Sequence, residues 1–325
     1  MALALKDKWV WDSWYVRDGA LWHAFFLQAD KSLGDPERRH WHVSYGHATS
    51  RDLVSWDYWG TCFEPATGPA WDDYTTWTGS VVRGDDDRWH LFYTGTNRAE
   101  AGKYQRLGHA TSTDLHRWER VGTGLILDID DRYEEFEEGR WHDRAFRDPW
   151  VIRDPERPGW LMYFTARKAG VTERLQAGAV GLATSPDLMD WTLQAPVYVG
   201  GFGELEVPQT FRAGDRWYCV FCTNKRFWTR EAETALGHAP VTGSHYLIGD
   251  GPRGPFRIAP GPLLDGADPV DRYAARILTT QGGLTLMGFR WFDRSGAFVG
   301  ALADPAAVAI DNNGRLALAD PTKGG

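Results

Sequence analysis

The feature that most constrains how this chain can fold is an internal repeat. The segment Gly-His-Ala-Thr-Ser-x-Asp-Leu-x-x-Trp, with Leu replacing His in its last copy, occurs three times, at residues 46–56, 108–118 and 181–191. The copies begin 62 and 73 residues apart. A second segment, in which aromatic residues follow a tryptophan, occurs four times, with the tryptophans at Trp22, Trp89, Trp160 and Trp217. Self-similarity of this period is typical of solenoids and propellers.

The repeated segments are predicted to be β-strands. They are short, rich in β-branched and aromatic residues, and bounded by Gly, Pro, Asp and Asn, and no stretch sustains an amphipathic helical pattern. Each unit has room for about four strands, and a weaker fifth copy lies at residues 284–289. The sequence therefore predicts an all-β, five-bladed β-propeller with four-stranded antiparallel blades around a central funnel. We expect residues 1–325 to form one domain without an appended β-sandwich, and the N-terminal segment to complete the last blade.

Composition excludes several kinds of partner. The net charge of −8 argues against nucleic-acid binding and against a polybasic membrane-surface protein. Apolar runs are too short for a membrane helix, and the first residues lack the basic and apolar regions of a signal peptide. Three cysteines cannot form a disulfide framework. These features predict a cytoplasmic protein with a small-molecule partner.

Three acidic residues fall at equivalent positions of three repeats. Asp12, Asp148 and Glu206 precede the tryptophans of their units by 10, 12 and 11 residues. This spacing places them on or near the innermost strand of each blade, which lines the central channel. A lone Asp in such a place is often a turn residue or a cap, but three acids at one level of the fold predict a shared site.

The surrounding residues suggest the chemistry of that site. Arg147 beside Asp148 suits recognition of sugar hydroxyls by charge-assisted hydrogen bonds. Glu204 and Glu206 lie on one face of a strand, where side chains alternate. Neighbouring negative charge and partial burial should together raise the pKa of Glu206 above its usual value of about 4.3. Hydrogen bonds from nearby donors should hold the pKa of Asp12 down and keep it ionised, with Ser13 or Ser80 as candidates.

Four motifs, in this order, resemble the levansucrase–invertase clan of five-bladed propeller glycosidases, comprising glycoside hydrolase families 68 and 32. They are Val10-Trp-Asp-Ser-Trp14, Trp77-Thr-Gly-Ser80, Phe146-Arg-Asp-Pro149 and Glu204-Leu-Glu-Val-Pro208. The first and third are most similar to family 68. The resemblance implies a retaining glycosidase that acts on β-fructofuranosides such as sucrose or fructo-oligosaccharides, with transfructosylation as a further outcome.

The resemblance also implies residue roles. Asp12 would be the nucleophile, Asp148 the transition-state stabiliser and Glu206 the acid/base. The residues expected to bind the substrate are Trp11, Trp77, Ser80, Arg147, Glu204, Arg226 and Tyr273. The Glu-x-Glu motif departs from the family pattern, since Val207-Pro208 follows it in place of Arg-Pro or Cys-Pro, and this leaves the exact substrate open.

Two alternatives remain open from the sequence. An inverting arabinan- or xylan-acting glycosidase on the same scaffold would also use three acids from three blades, with a wider carboxylate separation. A non-catalytic sugar-binding propeller would share the fold. No cofactor or metal is predicted: Cys219 and Cys222 have zinc-knuckle spacing but lie within a predicted strand without a second ligand pair, and no phosphate-binding glycine loop is evident.

Overall fold

The computed structural model describes residues 3–319, which form five antiparallel sheets arranged as propeller blades. Blade one contains β1 (Lys8–Asp18), β2 (Leu21–Asp30), β3 (Ser44–Ser50) and β4 (Asp57–Phe63). Blade two contains β5 (Thr75–Arg83), β6 (Trp89–Thr96), β7 (Arg106–Ser112) and β8 (Glu119–Leu127). Blade three contains β9 (Phe146–Arg153), β10 (Trp160–Arg167), β11 (Gly178–Ser185) and β12 (Thr192–Val199). Blade four contains β13 (Glu206–Ala213), β14 (Arg216–Thr223), β15 (Thr242–Gly249), β16 (Phe256–Ile258) and the short β17 (Asp265–Ala267). Blade five contains β18 (Arg272–Thr280), β19 (Gly283–Phe292), the short β20 (Phe298–Leu302), β21 (Ala306–Ile310) and β22 (Leu316–Leu318).

The first strand of each blade lines the axis. Strands β1, β5, β9, β13 and β18 contact one another in that order, and β18 returns to β1, which closes the ring. The predicted five-bladed propeller with four-stranded antiparallel blades is confirmed. Blades four and five each add one short strand, β17 against β15 and β20 against β19.

The ring closes in a different way from the one predicted. The N-terminal segment does not complete the last blade, because β1 is the innermost strand of blade one and blade five builds its four strands from its own residues. Within residues 3–319, one antiparallel backbone bridge joins the N-terminal segment to blade five, with Leu302 N donating to Leu3 O at 2.9 Å, and β1 packs against β18, β19 and β20. Trp9 packs edge-on against Phe298 beside it, with ring centroids 6.2 Å apart.

The repeated Ser-x-Asp-Leu segment forms the turn between the third and fourth strands. In blade one, Ser50 Oγ accepts from Leu53 N at 2.8 Å and Asp52 Oδ1 accepts from Ser55 N at 2.7 Å. The leucine takes a left-handed conformation with φ of 64°. Equivalent bonds recur at residues 112–117 and 185–190. The side chains replace backbone partners that the reversing chain would otherwise lack.

The histidines of the repeat are structural. His47 and His109 are buried and share hydrogen bonds with His23 and His90, at 3.0 and 2.9 Å. Burial lowers the pKa of both to about 3, so they are neutral near neutral pH. Repetition of a packing unit therefore explains these positions.

Helical segments are short in the described part of the chain. The α-helix α1 (Arg230–Leu236) begins where Thr229 Oγ1 accepts from Ala232 N and ends at the left-handed Gly237. The 3-10 helices are Lys31–Leu33, Pro36–Trp41, Arg174–Gln176 and Lys225–Phe227. Within residues 3–319, no helix has both the length and the apolar character needed to cross a bilayer.

Candidate active site

A cavity of about 760 Å³ opens at one end of the propeller axis. All five blades contribute to its wall from their innermost strands, through Asp12, Thr78, Asp148, Glu206 and Tyr273. The three acids that the sequence placed at one level therefore do meet in one cavity. A convergent polar site of this size in an aromatic-lined cleft is typical of small-molecule binding.

Each innermost strand is interrupted at the cavity. Pairing with the second strand shifts register in all five blades, at residues 10–13, 77–79, 147–150, 206–209 and 273–276. Asp148, Val207 and Ala274 have φ of 59°, 53° and 48°. A β-bulge changes the direction of the side chains around it, so the irregular backbone accounts for how neighbouring residues reach one cavity.

Asp12 lies within the bulge of β1. Its Oδ2 accepts a hydrogen bond from Thr78 Oγ1 at 2.5 Å. Burial raises the pKa of the carboxyl to about 6, the bond from Thr78 opposes this, and the charge of Asp148 adds to the rise. Asp12 is therefore ionised above about pH 6.

The expected donors to Asp12 were wrong. The hydroxyl of Ser13 is buried and bonds to Tyr15 OH at 2.8 Å. Ser80 does not line the cavity: it follows the bulge of β5, pairs with Phe92, and its Oγ accepts from Val151 N at 3.2 Å. The bulge of β5 places Thr78, and not Ser80, at the cavity wall. Ser80 instead links blades two and three through its hydrogen bond with Val151.

Glu206 is held through both oxygens. Arg147 Nη2 donates to its Oε1 at 2.9 Å, and Tyr273 OH donates to its Oε2 at 2.5 Å. Burial raises the pKa of Glu206 to about 7, Arg147 opposes this, and Glu204 acts in the same direction as burial. The direction agrees with the prediction, and of the two predicted causes burial is larger than the neighbouring charge.

Two donors hold the carboxylate of Asp148 through one of its oxygens. Its Oδ2 accepts from Thr165 Oγ1 at 2.9 Å and from Val207 N at 3.0 Å. Arg147 Nε lies 3.5 Å from the same oxygen. The carboxyl is buried at the cavity wall, and both hydrogen bonds fall on Oδ2.

An ion-pair network supports this wall. Arg147 Nη2 also donates to Glu204 Oε2 at 3.1 Å, and Arg167 pairs with Glu204 and with Asp143. Gln105 Nε2 donates to Asp143 Oδ2 at 2.6 Å. The surrounding carboxylates hold the pKa of Arg147 well above its usual value, although its burial acts in the opposite direction.

Aromatic rings form the remaining walls. Trp77 Nε1 donates to His40 O at 2.9 Å, which fixes its indole, and the buried Trp11 lies edge-on to the His40 ring. Trp291 packs against Tyr273 with ring centroids 4.5 Å apart. Arg226 is exposed and also lines the cavity.

Nine of the ten predicted site residues line the cavity, and Ser80 does not. Sequence reasoning missed Thr78 as the partner of Asp12, although it lies inside a quoted motif. It also missed supporting residues that no motif marked: Arg39, Gln105, Asp143, Arg167 and Trp291. Their roles depend on which residues the blades bring together, and that is visible only in the fold.

One group of side chains has the spacing of metal ligands. Donor atoms of His142, Asp143 and Glu204 lie within 4.8 Å of one another. Both carboxylates are already paired with the guanidinium of Arg167, and Glu204 also with Arg147. Two neighbouring cations oppose a metal ion here, so the cluster fits an ion-pair network better than a metal centre.

Fold and site together define a propeller of the glycosidase type, with carboxylates from three blades at one end of the axial channel. The family model described as "Glycosyl hydrolases family 32 N-terminal domain" matches residues 14–296. The chain belongs to this family. Asp12 lies just before the first matched residue.

Curated relatives include invertase from Wickerhamomyces anomalus, 26% identical over 205 residues, covering 61% of this chain and 33% of the relative. Sucrose-6-phosphate hydrolase from Bacillus subtilis is 31% identical over 189 residues, covering 57% and 33%. The chain thus spans about a third of the length of these relatives.

Solved structures extend the likeness in fold. Inulosucrase from Halalkalicoccus jeotgali bound to kestose superposes with a TM-score of 0.79 at 24% identity, covering 97% of this chain and 87% of the other. Bacillus subtilis levansucrase superposes with a TM-score of 0.76 at 16% identity, also covering 97% and 87%. At these identities the likeness concerns the fold.

Proposed function

We propose that this protein is a retaining glycosidase acting on β-fructofuranosides. The observation that carries the proposal is the convergence of Asp12, Asp148 and Glu206 in one aromatic-lined cavity. Membership of glycosyl hydrolase family 32 supports it. The names of the relatives, invertase and sucrose-6-phosphate hydrolase, and the kestose-bound neighbour point to sucrose-type fructosides as substrates.

In the proposed reaction, Asp12 attacks the anomeric carbon of the fructosyl unit. Its Oδ2 is held by Thr78, which leaves Oδ1 as the attacking atom. Glu206 gives its proton to the glycosidic oxygen as the carbon–oxygen bond breaks, and a covalent fructosyl-enzyme forms through an oxocarbenium-like transition state. Water then attacks the same carbon and gives a proton to Glu206, which releases Asp12 and fructose. A second sugar in place of this water gives transfructosylation.

Asp148 and Arg147 are the proposed ligands of the fructosyl hydroxyls. Thr165 and Val207 hold Asp148 through Oδ2, so that Oδ1 is available to a hydroxyl group. Arg147 lies between Asp148 and Glu206 and can donate to a sugar oxygen when the substrate enters. Charge-assisted bonds of this kind are strong when water is excluded.

Product analysis tests the proposal. Purified protein incubated with sucrose or kestose should release fructose, while arabinan should release no pentose. Proton NMR at early times should show that the first fructose has the β-configuration of the substrate, as double displacement requires. Inversion of configuration would move the assignment to the single-displacement alternative, and binding without product would support a sugar-binding propeller.

Variants connect the activity to the site. Asp12→Asn and Glu206→Gln should each lower kcat about 10³-fold or more while the protein remains folded, because each removes a group that acts on the reacting atoms. Glu206→Gln should recover activity on a fructoside with a good leaving group, since an acid is then less needed. Ser80→Ala is the matched control: its side chain does not line the cavity, so kcat should stay within about twofold.

A further inference from the structure

A buried cation on β18 is not part of the cavity wall. The side chain of Arg276 is 1% exposed. Its Nη1 donates to Val207 O at 3.2 Å and to Pro208 O at 3.0 Å. Within residues 3–319, its Nε and Nη2 find no hydrogen-bond partner and no carboxylate forms an ion pair with it. Such burial is costly unless the charge interacts with something else nearby.

The backbone that Arg276 holds is the one that positions the acids. Val207 accepts from Arg276 through its carbonyl and donates through its N–H to Asp148 Oδ2 at 3.0 Å. Val207 also has a left-handed φ of 53° and directly follows Glu206. The guanidinium therefore fixes an irregular dipeptide on which both Asp148 and Glu206 depend.

The groups around Arg276 come from four other strands. Asp12 and Tyr15 belong to β1, Asp148 to β9, and Cys219 and Cys222 to β14, while β13 presents only the carbonyls described above. The guanidinium also lies over the Trp150 ring on β9, 4.9 Å from its centroid. Burial lowers the pKa of Arg276 to about 10, so it is positive at neutral pH.

The charged groups that act on Asp12 also include Arg276. The ionisable groups that act on it are Asp148 from β9, Arg276 from β18 and Arg39 from the 3-10 helix Pro36–Trp41, and Thr78 donates from β5. Arg39 is already paired with Glu37, at 3.0 Å. Arg276 is thus the cation near Asp12 that has no carboxylate partner of its own among the described residues.

We propose that Arg276 is a positioning residue: its hydrogen bonds hold the Glu206–Val207 bulge, and its buried, unpaired charge on β18 compensates the carboxylate of Asp12 on the adjacent strand β1. The inference rests on the proposed function where it treats Asp12 as the nucleophile. A cation near the anomeric carbon would oppose an oxocarbenium ion, so the benefit lies in the ionisation of Asp12 and is expected in the pH profile.

Three variants separate charge from hydrogen bonding. Arg276→Met removes both, Arg276→Gln keeps a donor, and Arg276→Lys keeps the charge. The acid limb of kcat/KM should move up by about one pH unit in the Met and Gln variants and stay near the wild-type position in the Lys variant. An unchanged limb in Arg276→Met, or equal shifts in the Lys and Met variants, would overturn the role of the charge.

A matched control and a second readout complete the test. Arg83→Met also removes an arginine that lies over an indole, 5.0 Å from the Trp89 ring, but Arg83 is half-exposed and outside the cavity, so the profile should not move. The pKa of Asp12 can be measured by ¹³C NMR of aspartate-labelled protein, with Asp12→Asn to assign the signal. This pKa should rise by about one unit in Arg276→Met even if no fructoside is cleaved. Failure of the proposed function and failure of the Arg276 inference are therefore distinguishable.

Discussion

The hydroxyl of Tyr273 and the guanidinium of Arg147 lower the pKa of Glu206, whereas burial of the carboxyl raises it. Both donate to Glu206, and both favour its ionised form. Burial prevails, and raises the pKa of Glu206 to about 7. Burial also raises the pKa of Asp12, to about 6. The form that the proposed reaction requires, with Asp12 ionised and Glu206 protonated, is therefore most populated between about pH 6 and 7.

Tyr273→Phe should widen this bell-shaped profile on its basic side. Loss of the hydroxyl removes a bond to the ionised form of Glu206, so the carboxyl should keep its proton to higher pH. The basic limb of kcat/KM should rise by about one unit, since a hydrogen bond to a charged group contributes about 1.5 kcal/mol and one pKa unit corresponds to about 1.4 kcal/mol. Measured pH–rate profiles of the two proteins provide the comparison.

Tyr74→Phe is the control for this change. Tyr74 stacks on the cavity-lining Trp41, with centroids 5.0 Å apart, and does not itself line the cavity. Its loss of a hydroxyl should leave both limbs in place. A basic limb that stays fixed or falls in Tyr273→Phe would show that the tyrosine does not tune the acid.

Single residues were predictable where a motif carried them. Asp12, Arg147 and Glu206 each stand in a motif whose spacing placed them correctly. Arg167 and Gln105 stand in none, and they matter because β10 and the segment just before β7 bring them to Asp143. The pKa of Asp12 was misjudged for the same reason: its burial is a property of the assembled cavity and not of its neighbours in sequence.

At the scale of the strands, the glycine that opens each repeated segment has a steric cause. A Cβ at Gly46, Gly108 or Gly181 would collide with an aromatic ring from the second strand of the same blade. The rings belong to Phe26, Tyr93 and Phe164. The repeat thus records one packing contact made three times, which is why the periodicity predicted the blades.

Gly108→Ala should destabilise the protein by about 2 kcal/mol, as overpacking of a core does. Tyr93 cannot move aside freely, because its hydroxyl donates to the buried Asp72 at 2.8 Å. Urea denaturation followed by tryptophan fluorescence would measure the free energy of unfolding. Gly282→Ala, at an exposed turn where the nearest atom lies 3.7 Å from the added carbon, should change it by less than about 0.5 kcal/mol. Equal effects would mean that the ring contact is not what requires glycine.

The bulges are the part of the strands that the sequence did not predict. Alternation and turn residues fix where strands lie, but the register shift at Asp148 or Val207 leaves no compositional mark. These residues are neither Gly nor Asn, and yet they have positive φ. The surrounding hydrogen bonds, such as Val207 N to Asp148, supply what local preference does not.

At the scale of the whole molecule, ring closure determines whether the site exists. Asp12 is on blade one and Tyr273 is on blade five, and both line the cavity, so both sides of the closing interface supply it. The prediction that the N-terminal segment would complete the last blade rested on the removal of exposed strand edges by closing the ring. Side-chain packing between β1 and β20 takes much of the role of closing the ring, with one backbone bridge.

Trp9→Ala should therefore cost about 3–4 kcal/mol of the free energy of unfolding, in the range of buried Trp-to-Ala changes. Trp9 is buried, packs on Phe298, and contacts the position where Gly300 lacks a side chain. The matched control is Trp59→Ala on the outer strand of blade one, where the indole is 61% exposed and the loss should be about 1 kcal/mol or less. Chemical denaturation of both variants measures the difference. If Trp9→Ala loses no more than Trp59→Ala, the packing of Trp9 on blade five is not what holds the ring closed.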